Sequence, residues 1–170
     1  MLRIFESTSA EAAKSYYTEG LSKADYYTAE QEEIVGQFGG KAAALLGLEG
    51  TVTKEAFDRL ADNLHPLTGK KLTPRTKSNR RVGYDFTFSI PKSASLLFEL
   101  TRDERILDAF RASVRETMEE LEAGMATRVR QGGRDEDRKT GNMVWGEFVH
   151  TTTRPGDDGL PDPHTHMHVY

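Results

Sequence analysis

The sequence contains no cysteine, which excludes disulfides, thiolate metal sites and cysteine nucleophiles. It also lacks any apolar run long enough to span a bilayer. Its N-terminus, MLRIFESTSAEAAK, has no apolar core followed by a small-residue cleavage site, so no signal peptide is predicted. We therefore expect a cytoplasmic protein without membrane insertion. The length of 170 residues suffices for one domain with a sizeable core.

Acidic residues are absent between Asp62 and Asp85, although the net charge of the whole chain is −4. That window contains six basic residues, which are Lys70, Lys71, Arg75, Lys77, Arg80 and Arg81. This separation of basic from acidic residues indicates a protein surface that attracts phosphates. A solvated loop without a binding partner explains the same pattern. The window is also rich in Pro, Gly, Thr and Ser, which predicts a loop.

Apolar and polar residues alternate between Val82 and Ile90, which predicts a strand with Asp85 and Thr87 on its polar face. Further strands are expected at 2–5, 142–150 and 164–170. Helices are expected at 10–19, at 41–46, from 53 onward, from 93 onward and at 103–130, with a charged loop at 134–140. Together these elements predict an α+β domain with an antiparallel or mixed sheet covered by helices on one side.

Four of the five histidines lie in the last 21 residues. His164, His166 and His168 alternate, so a strand would point all three to the same face, and His150 ends the preceding predicted strand. Imidazoles so placed can converge on a divalent ion such as Zn²⁺, Mn²⁺, Ni²⁺ or Co²⁺. The spacing leaves open whether His164/His166 or His166/His168 is the metal pair. A row of exposed histidines on an edge strand is the alternative.

Four of the six tyrosines form two doublets, Tyr16-Tyr17 and Tyr26-Tyr27. Adjacent residues of a helix differ by about 100° in direction, so one member of a doublet can face a site while the other packs. Ordinary aromatic packing is the alternative. A phenol is a suitable nucleophile for a phosphodiester when a metal or base helps it to ionise. The phosphotyrosine bond stores energy for re-joining, which favours reversible strand transfer over hydrolysis.

Five segments carry a resemblance to a known family, and they occur in the family's order: SYYTEGLSKADYY, GGKAAALLGLEG, VGYDFTFSIPKSAS, GNMVWGEFVHTTTR and DPHTHMH. They resemble the N-terminal relaxase domain of MobF-type conjugative relaxases, within the HUH endonucleases, and cover most of the chain. The resemblance implies a palm-like HUH sheet. It also implies that residues 1–170 are the incomplete N-terminal part of a longer relaxase or relaxase-helicase, truncated after the metal strand.

The resemblance implies a metal centre formed by His150, His166 and His168, with His164 outside the ligand set. In the family this centre works with Mg²⁺ or Mn²⁺. Asp85 matches an acidic residue that orients a ligand histidine or helps to deprotonate the nucleophile, and its place on the polar face of the predicted strand agrees with this role.

Among the tyrosines, the resemblance implies that Tyr16 cleaves the DNA strand first. Tyr26, together with Tyr17 or Tyr27, matches the tyrosines that act second or support the first. The expected activity is metal-dependent nicking and re-joining of single-stranded DNA at a transfer origin through a 5′-phosphotyrosine intermediate. Accessory relaxosome proteins and a coupling protein are the expected partners.

The basic window, together with Arg154, is expected to hold the phosphate backbone of the DNA. Two other functions remain open at the level of sequence. One is a rolling-circle replication initiator of the HUH class, although such proteins generally place the tyrosine after the histidines. The other is a non-catalytic metal-binding fragment.

Overall fold

The computed structural model describes residues 1–22, 34–74, 80–157 and 159–170. Its strands are β1 (Leu2–Ser7), β2 (Gln37–Gly39), β3 (Gly83–Ser89), β4 (Ala126–Gln131), β5 (Arg134–Lys139), β6 (Trp145–Thr152) and β7 (Pro163–Val169). Its helices are α1 (Ala10–Tyr16), which continues as a π-helix (Tyr17–Leu21), α2 (Lys41–Leu45), α3 (Lys54–Ala61), α4 (Lys92–Thr101) and α5 (Glu104–Gly124). In the part of the chain that is described, no helix is long and apolar enough to cross a membrane.

Five of the strands form one sheet in the order β1-β3-β7-β6-β2, and every neighbouring pair is antiparallel. This confirms the predicted α+β class with an antiparallel sheet. The registers bring the polar residues of the three central strands side by side. His150 lies opposite His166 in the β6–β7 pair, and Thr87 lies opposite His168 in the β3–β7 pair. Residues directly opposite each other in an antiparallel pair share a face.

Helices pack on both faces of this sheet, so the prediction that they cover one side is wrong. The first face packs against α5 in a cluster that contains Phe88, Phe110, Val114, Met118, Trp145, Met167 and Val169. The second face packs against α1, the π-helix and α3 in a cluster that contains Ala13, Tyr17, Leu21, Phe57 and Phe148. The reason is that β6 places apolar side chains on both faces, with Trp145 in the first cluster and Phe148 in the second.

Two helices begin where side-chain caps predict. Ser9 accepts a hydrogen bond from the backbone N–H of Ala12 at the start of α1, and Thr53 accepts one from Ala56 at the start of α3, both at 3.2 Å. These bonds satisfy backbone donors that the first helical turn leaves without a partner.

The predicted helix over 103–130 is wrong in its last part. α5 ends at Gly124, and residues 126–139 form a hairpin of β4 and β5 instead of a helix end and a charged loop. Gly132 and Gly133 turn the hairpin with φ values of 60° and 83°, which glycine adopts without the steric cost that other residues have. The glycine pair that follows the predicted helix is thus a hairpin turn.

Candidate metal and nucleophile site

The rings of His150, His166 and His168 meet on the second face of the sheet, and the ring of His164 stacks on that of His166 at a centroid distance of 5.0 Å. The alternation in the sequence predicts the shared face of the three histidines in β7. The ring centroids of His150 and His166 are 5.1 Å apart, those of His150 and His168 are 5.5 Å apart, and those of His166 and His168 are 5.1 Å apart. His150 is buried and the other two are partly buried. β6 and β7 thus bring together the predicted ligand set through their antiparallel register.

Two of the rings are oriented by a partner on Nδ1. His166 Nδ1 donates to the carbonyl oxygen of His164 at 2.8 Å. His168 Nδ1 lies 3.0 and 2.9 Å from the two carboxylate oxygens of Asp85. A proton on Nδ1 leaves the lone pair of a neutral ring on Nε2, which is the arrangement of metal-binding histidines. Burial lowers the pKa of His166 to about 4, so this ring is neutral near pH 7.

The rings are not arranged to hold an ion as they stand. Among the described residues, no group of three or more histidine, cysteine, aspartate or glutamate side chains has the arrangement of a metal site. The rings of His150 and His166 are stacked with an angle of 19° between their planes, whereas His168 is nearly perpendicular to both. Ring-nitrogen lone pairs lie in the ring plane, so stacked rings do not aim at one point. The donor types fit a divalent cation, and a rotation of the rings is required to bring them to it.

Tyr16 places its hydroxyl beside this group. The hydroxyl donates a hydrogen bond to Asp85 Oδ2 at 2.7 Å and lies 3.0 Å from His168 Nδ1. Thr87 Oγ1 lies 3.4 Å from the same two atoms. Asp85 itself is buried, with 5% of its surface exposed. The carboxylate is therefore a shared acceptor that ties the candidate nucleophile to a candidate metal ligand.

The surroundings of Tyr16 keep it protonated. Burial raises its pKa well above the usual range of a phenol, and the hydrogen bond to Asp85 and the charge of that carboxylate raise it further. The positive charge of Arg154 acts in the opposite direction and lowers the pKa. In these surroundings the neutral phenol is therefore favoured over the phenolate.

The local backbone around Tyr16 explains how its ring reaches the site. The helix widens into the π-helix directly after this residue, a distortion that is frequent at functional sites. A Cβ added at Gly20 would lie 2.7 Å from Cε2 of the Tyr16 ring. The glycine at this position therefore provides room for the ring. The sequence pattern, which predicts a helix over 10–19, indicates no such role for this glycine.

Tyr17 points away from the histidines, as the angle between adjacent helical residues predicts. Its ring packs against Phe57 and Phe148, with centroid distances of 4.8 and 5.8 Å. Its hydroxyl donates to the carbonyl oxygen of Val52 at 3.2 Å, and only 7% of the residue is exposed. The geometry thus separates the doublet into one residue at the site and one in the core. Tyr26 and Tyr27 lie outside the described residues.

Of the basic residues predicted to hold DNA, Arg154 lies at the site. It lines a cavity of about 360 Å³ together with Tyr16, His150, His166 and His168. Four other members of the predicted set do not line this cavity. Lys70 and Lys71 are exposed after α3, Arg80 donates to the carbonyl oxygen of Ala61, and Arg81 pairs with Glu6 at 3.1 Å. Arg75 and Lys77 lie outside the described residues.

Arg3, Phe5 and Thr87 are among the residues that the fold brings to this cavity and that sequence reasoning did not assign. The signal for Thr87 was present, because the alternation in β3 already placed it on the same face as Asp85. The other two residues lie on β1, and its pairing with β3 is not visible in the sequence.

The comparisons with known proteins agree with one another. The TrwC relaxase family model matches residues 10–170. The multifunctional conjugation protein TraI of Escherichia coli K12 is 38% identical over 174 residues, which is 99% of this chain and 9% of that protein. A second Escherichia coli TraI is 37% identical over the same share of each chain.

Two solved structures show the same similarity in three dimensions. Conjugative relaxase TrwC, metal-bound and in complex with oriT DNA, superposes with a TM-score of 0.78 at 34% identity, over 99% of this chain and 55% of that one. TrwC complexed with a 27-mer DNA of recognition hairpin and cleavage site gives a TM-score of 0.77 at 30% identity, with 99% and 54% covered. The chain thus spans about half of these solved relaxase chains and 9% of the curated relatives.

Proposed function

Because the chain belongs to the TrwC relaxase family, we propose that it nicks and re-joins single-stranded DNA at a transfer origin through a 5′-phosphotyrosine intermediate. One observation carries the proposal: the hydroxyl of Tyr16 lies 2.7 Å from Asp85 and 3.0 Å from His168, at the edge of the three-histidine group. Tyr16 is thus a nucleophile within hydrogen-bond reach of a base, Asp85, and this base also contacts a candidate metal ligand, His168. Phosphoryl transfer to a side chain needs such an arrangement.

The proposed ligands of the metal are His150, His166 and His168. Three neutral nitrogens suit Mn²⁺, Zn²⁺, Ni²⁺ or Co²⁺, and the family resemblance favours Mg²⁺ or Mn²⁺. The TrwC relaxase has been solved in metal-bound and copper-bound forms, which supports a metal centre in this chain. A bound divalent ion supplies Lewis-acid stabilisation of the charge that develops on the phosphate.

The chemistry of the chain's own residues begins at Tyr16. Its Oη attacks the scissile phosphorus, the bond from phosphorus to the 3′-oxygen breaks, and a bond from phosphorus to Oη forms. The proton of Tyr16 passes to Asp85 Oδ2 along the existing hydrogen bond. The 3′-oxygen leaves as a hydroxyl, so overall one proton moves from the phenol to that oxygen. Attack of the 3′-hydroxyl on the phosphotyrosine reverses the step and re-joins the strand.

The raised pKa of Tyr16 has a consequence for control of the reaction. The neutral phenol is favoured, so the attack needs Asp85 to accept the proton of Tyr16. Arg154 lines the same cavity and favours both the phenolate and an incoming phosphate. Because the proposed reaction also uses a divalent ion to stabilise the charge on the phosphate, we expect no adduct without a divalent metal.

The wider role is proposed from the relatives. In a conjugation system this chain would act in the cytoplasm with accessory relaxosome proteins and a coupling protein. The exposed Lys70 and Lys71 are proposed contacts of the DNA backbone outside the cavity. The family match favours a relaxase over a rolling-circle initiator.

The direct test is adduct formation. A pool of labelled single-stranded oligonucleotides covering the DNA around the gene is incubated with the chain and Mn²⁺, and covalent protein–DNA adducts are resolved under denaturing conditions. Tyr16→Phe is expected to abolish the adduct, because it removes the attacking oxygen. EDTA is expected to abolish the adduct of the wild-type chain.

The matched control is Tyr17→Phe, which removes the neighbouring hydroxyl from the core. This variant is expected to form the adduct. Its free energy of unfolding is expected to fall by about 1 kcal/mol, because the hydrogen bond to the carbonyl oxygen of Val52 is lost. An undiminished adduct in Tyr16→Phe would show that the nucleophile is assigned incorrectly. Absence of any adduct with the wild-type chain, despite metal binding, would contradict the proposed activity.

A further inference from the structure

The edge strand β1 presents two exposed side chains on the same face as the candidate nucleophile. Arg3 lies opposite Thr87 and Phe5 lies opposite Asp85 in the antiparallel pair of β1 and β3. Directly opposite residues share a face of the sheet, so both side chains point to the face that carries Asp85 and the histidines. Neither residue has a part in the chemistry described above.

Phe5 is placed unusually for a large aromatic residue. It is 57% exposed and lies outside the apolar clusters of the described residues. Its side chain lines two cavities, one shared with Asp85 and both shared with Tyr16, Thr87 and His168. An exposed aromatic ring beside a polar site offers a flat surface on which a nucleic-acid base can stack.

Arg3 lies two residues before Phe5 on β1, so both side chains point to the same face of the sheet. It is exposed and forms no salt bridge with any residue in the described ranges. It lines the histidine cavity together with His164, His166 and Arg154. The lining of that cavity contains two arginines and a single acidic residue, Glu19. The local charge therefore favours an anion, and the guanidinium, which pairs with no carboxylate of the described residues, can bind one.

We propose that Arg3 and Phe5 form a nucleotide subsite that holds the nucleotide adjacent to the scissile phosphate. Phe5 stacks on the base of this nucleotide, and Arg3 binds its phosphate. The subsite rests on the proposed strand-transfer function, and it adds a positioning role for the edge strand. A nucleotide held at both base and backbone would fix the scissile phosphate relative to Tyr16.

The test measures binding of a short oligothymidylate that carries one 2-aminopurine, whose fluorescence falls on stacking. Phe5→Ala is expected to weaken binding roughly tenfold, as the loss of one base–aromatic stack does, and to abolish the quenching. Phe5→Trp is expected to restore both. Arg3→Ala is expected to weaken binding and to reduce the slope of log affinity against log salt by about one, whereas Arg3→Lys keeps the slope.

Ile4 provides the matched control. It lies between the two residues on the same strand, is 53% exposed and points to the opposite face. Ile4→Ala is expected to bind as the wild-type chain does. If Phe5→Ala and Arg3→Ala also bind as Ile4→Ala does, the subsite is overturned.

The adduct assay, run in parallel on the same proteins, separates this failure from failure of the proposed function. Adducts that form equally in the wild-type chain and in Phe5→Ala and Arg3→Ala would overturn the subsite and leave strand transfer intact. A wild-type chain that neither binds the oligothymidylate nor forms an adduct would contradict both proposals. Reduced adduct formation in both variants but not in Ile4→Ala would support the subsite.

Discussion

The two faces of the central sheet differ in composition although the same strands form both. Along β7, Met167 and Val169 are fully buried in the cluster with α5. Between and beside them, His166 and His168 line the cavity at Tyr16. At β7, one face of the sheet belongs to the closed apolar core with α5, and the other face is partly open and carries the histidines. The comparison suggests that stability and chemistry are divided between alternate residues of β7.

We expect the largest effect on stability from a substitution on the face of β7 that packs against α5. Met167→Ala should lower the free energy of unfolding by about 2–5 kcal/mol, because the residue is 0% exposed and its truncation leaves a cavity. Urea unfolding of the metal-free chain measures this value. His166→Gln, one residue away on the other face, should lose metal binding in calorimetry with a smaller effect on unfolding. Equal destabilisation by the two variants would show that the faces are not divided in this way.

The second effect concerns the rate of adduct formation and tests the role of Asp85 on the polar face. Asp85→Asn keeps the size of the side chain and an acceptor oxygen but removes the base that receives the proton of Tyr16. We expect adduct formation to slow by about 10²-fold or more, the usual contribution of a general base, while the chain remains folded. Rates from single-turnover adduct assays give the comparison. An unchanged rate would assign the carboxylate to orientation of His168 alone.

The smallest effect concerns the pH dependence of the metal-free chain. His166 has a folded-state pKa of about 4 because it is buried, below the value near 6.5 of an unfolded chain. Above pH 6.5 both states are neutral and the residue contributes nothing. Between pH 6.5 and 4 the unfolded chain binds a proton that the folded chain does not, so stability falls as the pH is lowered.

The expected loss over this interval is about 1–2 kcal/mol, less than the full pKa difference because the ring is partly solvated. Urea midpoints measured in EDTA across the interval test it. His166→Gln should flatten this part of the profile. A wild-type profile that is flat between pH 6.5 and 4 would contradict the burial argument.

Part of this organisation could be predicted from local sequence. Alternation fixes which strand residues share a face, and this placed Asp85, Thr87 and the histidines correctly. Side-chain caps marked the starts of α1 and α3. The separation of Tyr16 from Tyr17 followed from the turn angle of a helix. In each case the information lies within a few neighbouring residues.

The features that were missed depend on distant contacts or on competing local signals. The edge position of β1 depends on a pairing with β3 about 80 residues away in the chain, so the roles of Arg3 and Phe5 could not be inferred. Near the end of α5, Glu122 accepts backbone hydrogen bonds from Lys41 and Met143, which are distant in the sequence. The π-helix after Tyr16 has no simple sequence pattern.

The central claim is that imidazoles of His150, His166 and His168 bind one ion beside the hydroxyl of Tyr16. Anomalous diffraction from crystals of the chain grown with Mn²⁺ tests it most directly. The account predicts one strong anomalous peak on the second face of the sheet, within coordination distance of all three rings. The stacked rings of His150 and His166 must rotate to reach this arrangement. A peak coordinated by other residues, or no peak at these rings under saturating Mn²⁺, would contradict the account.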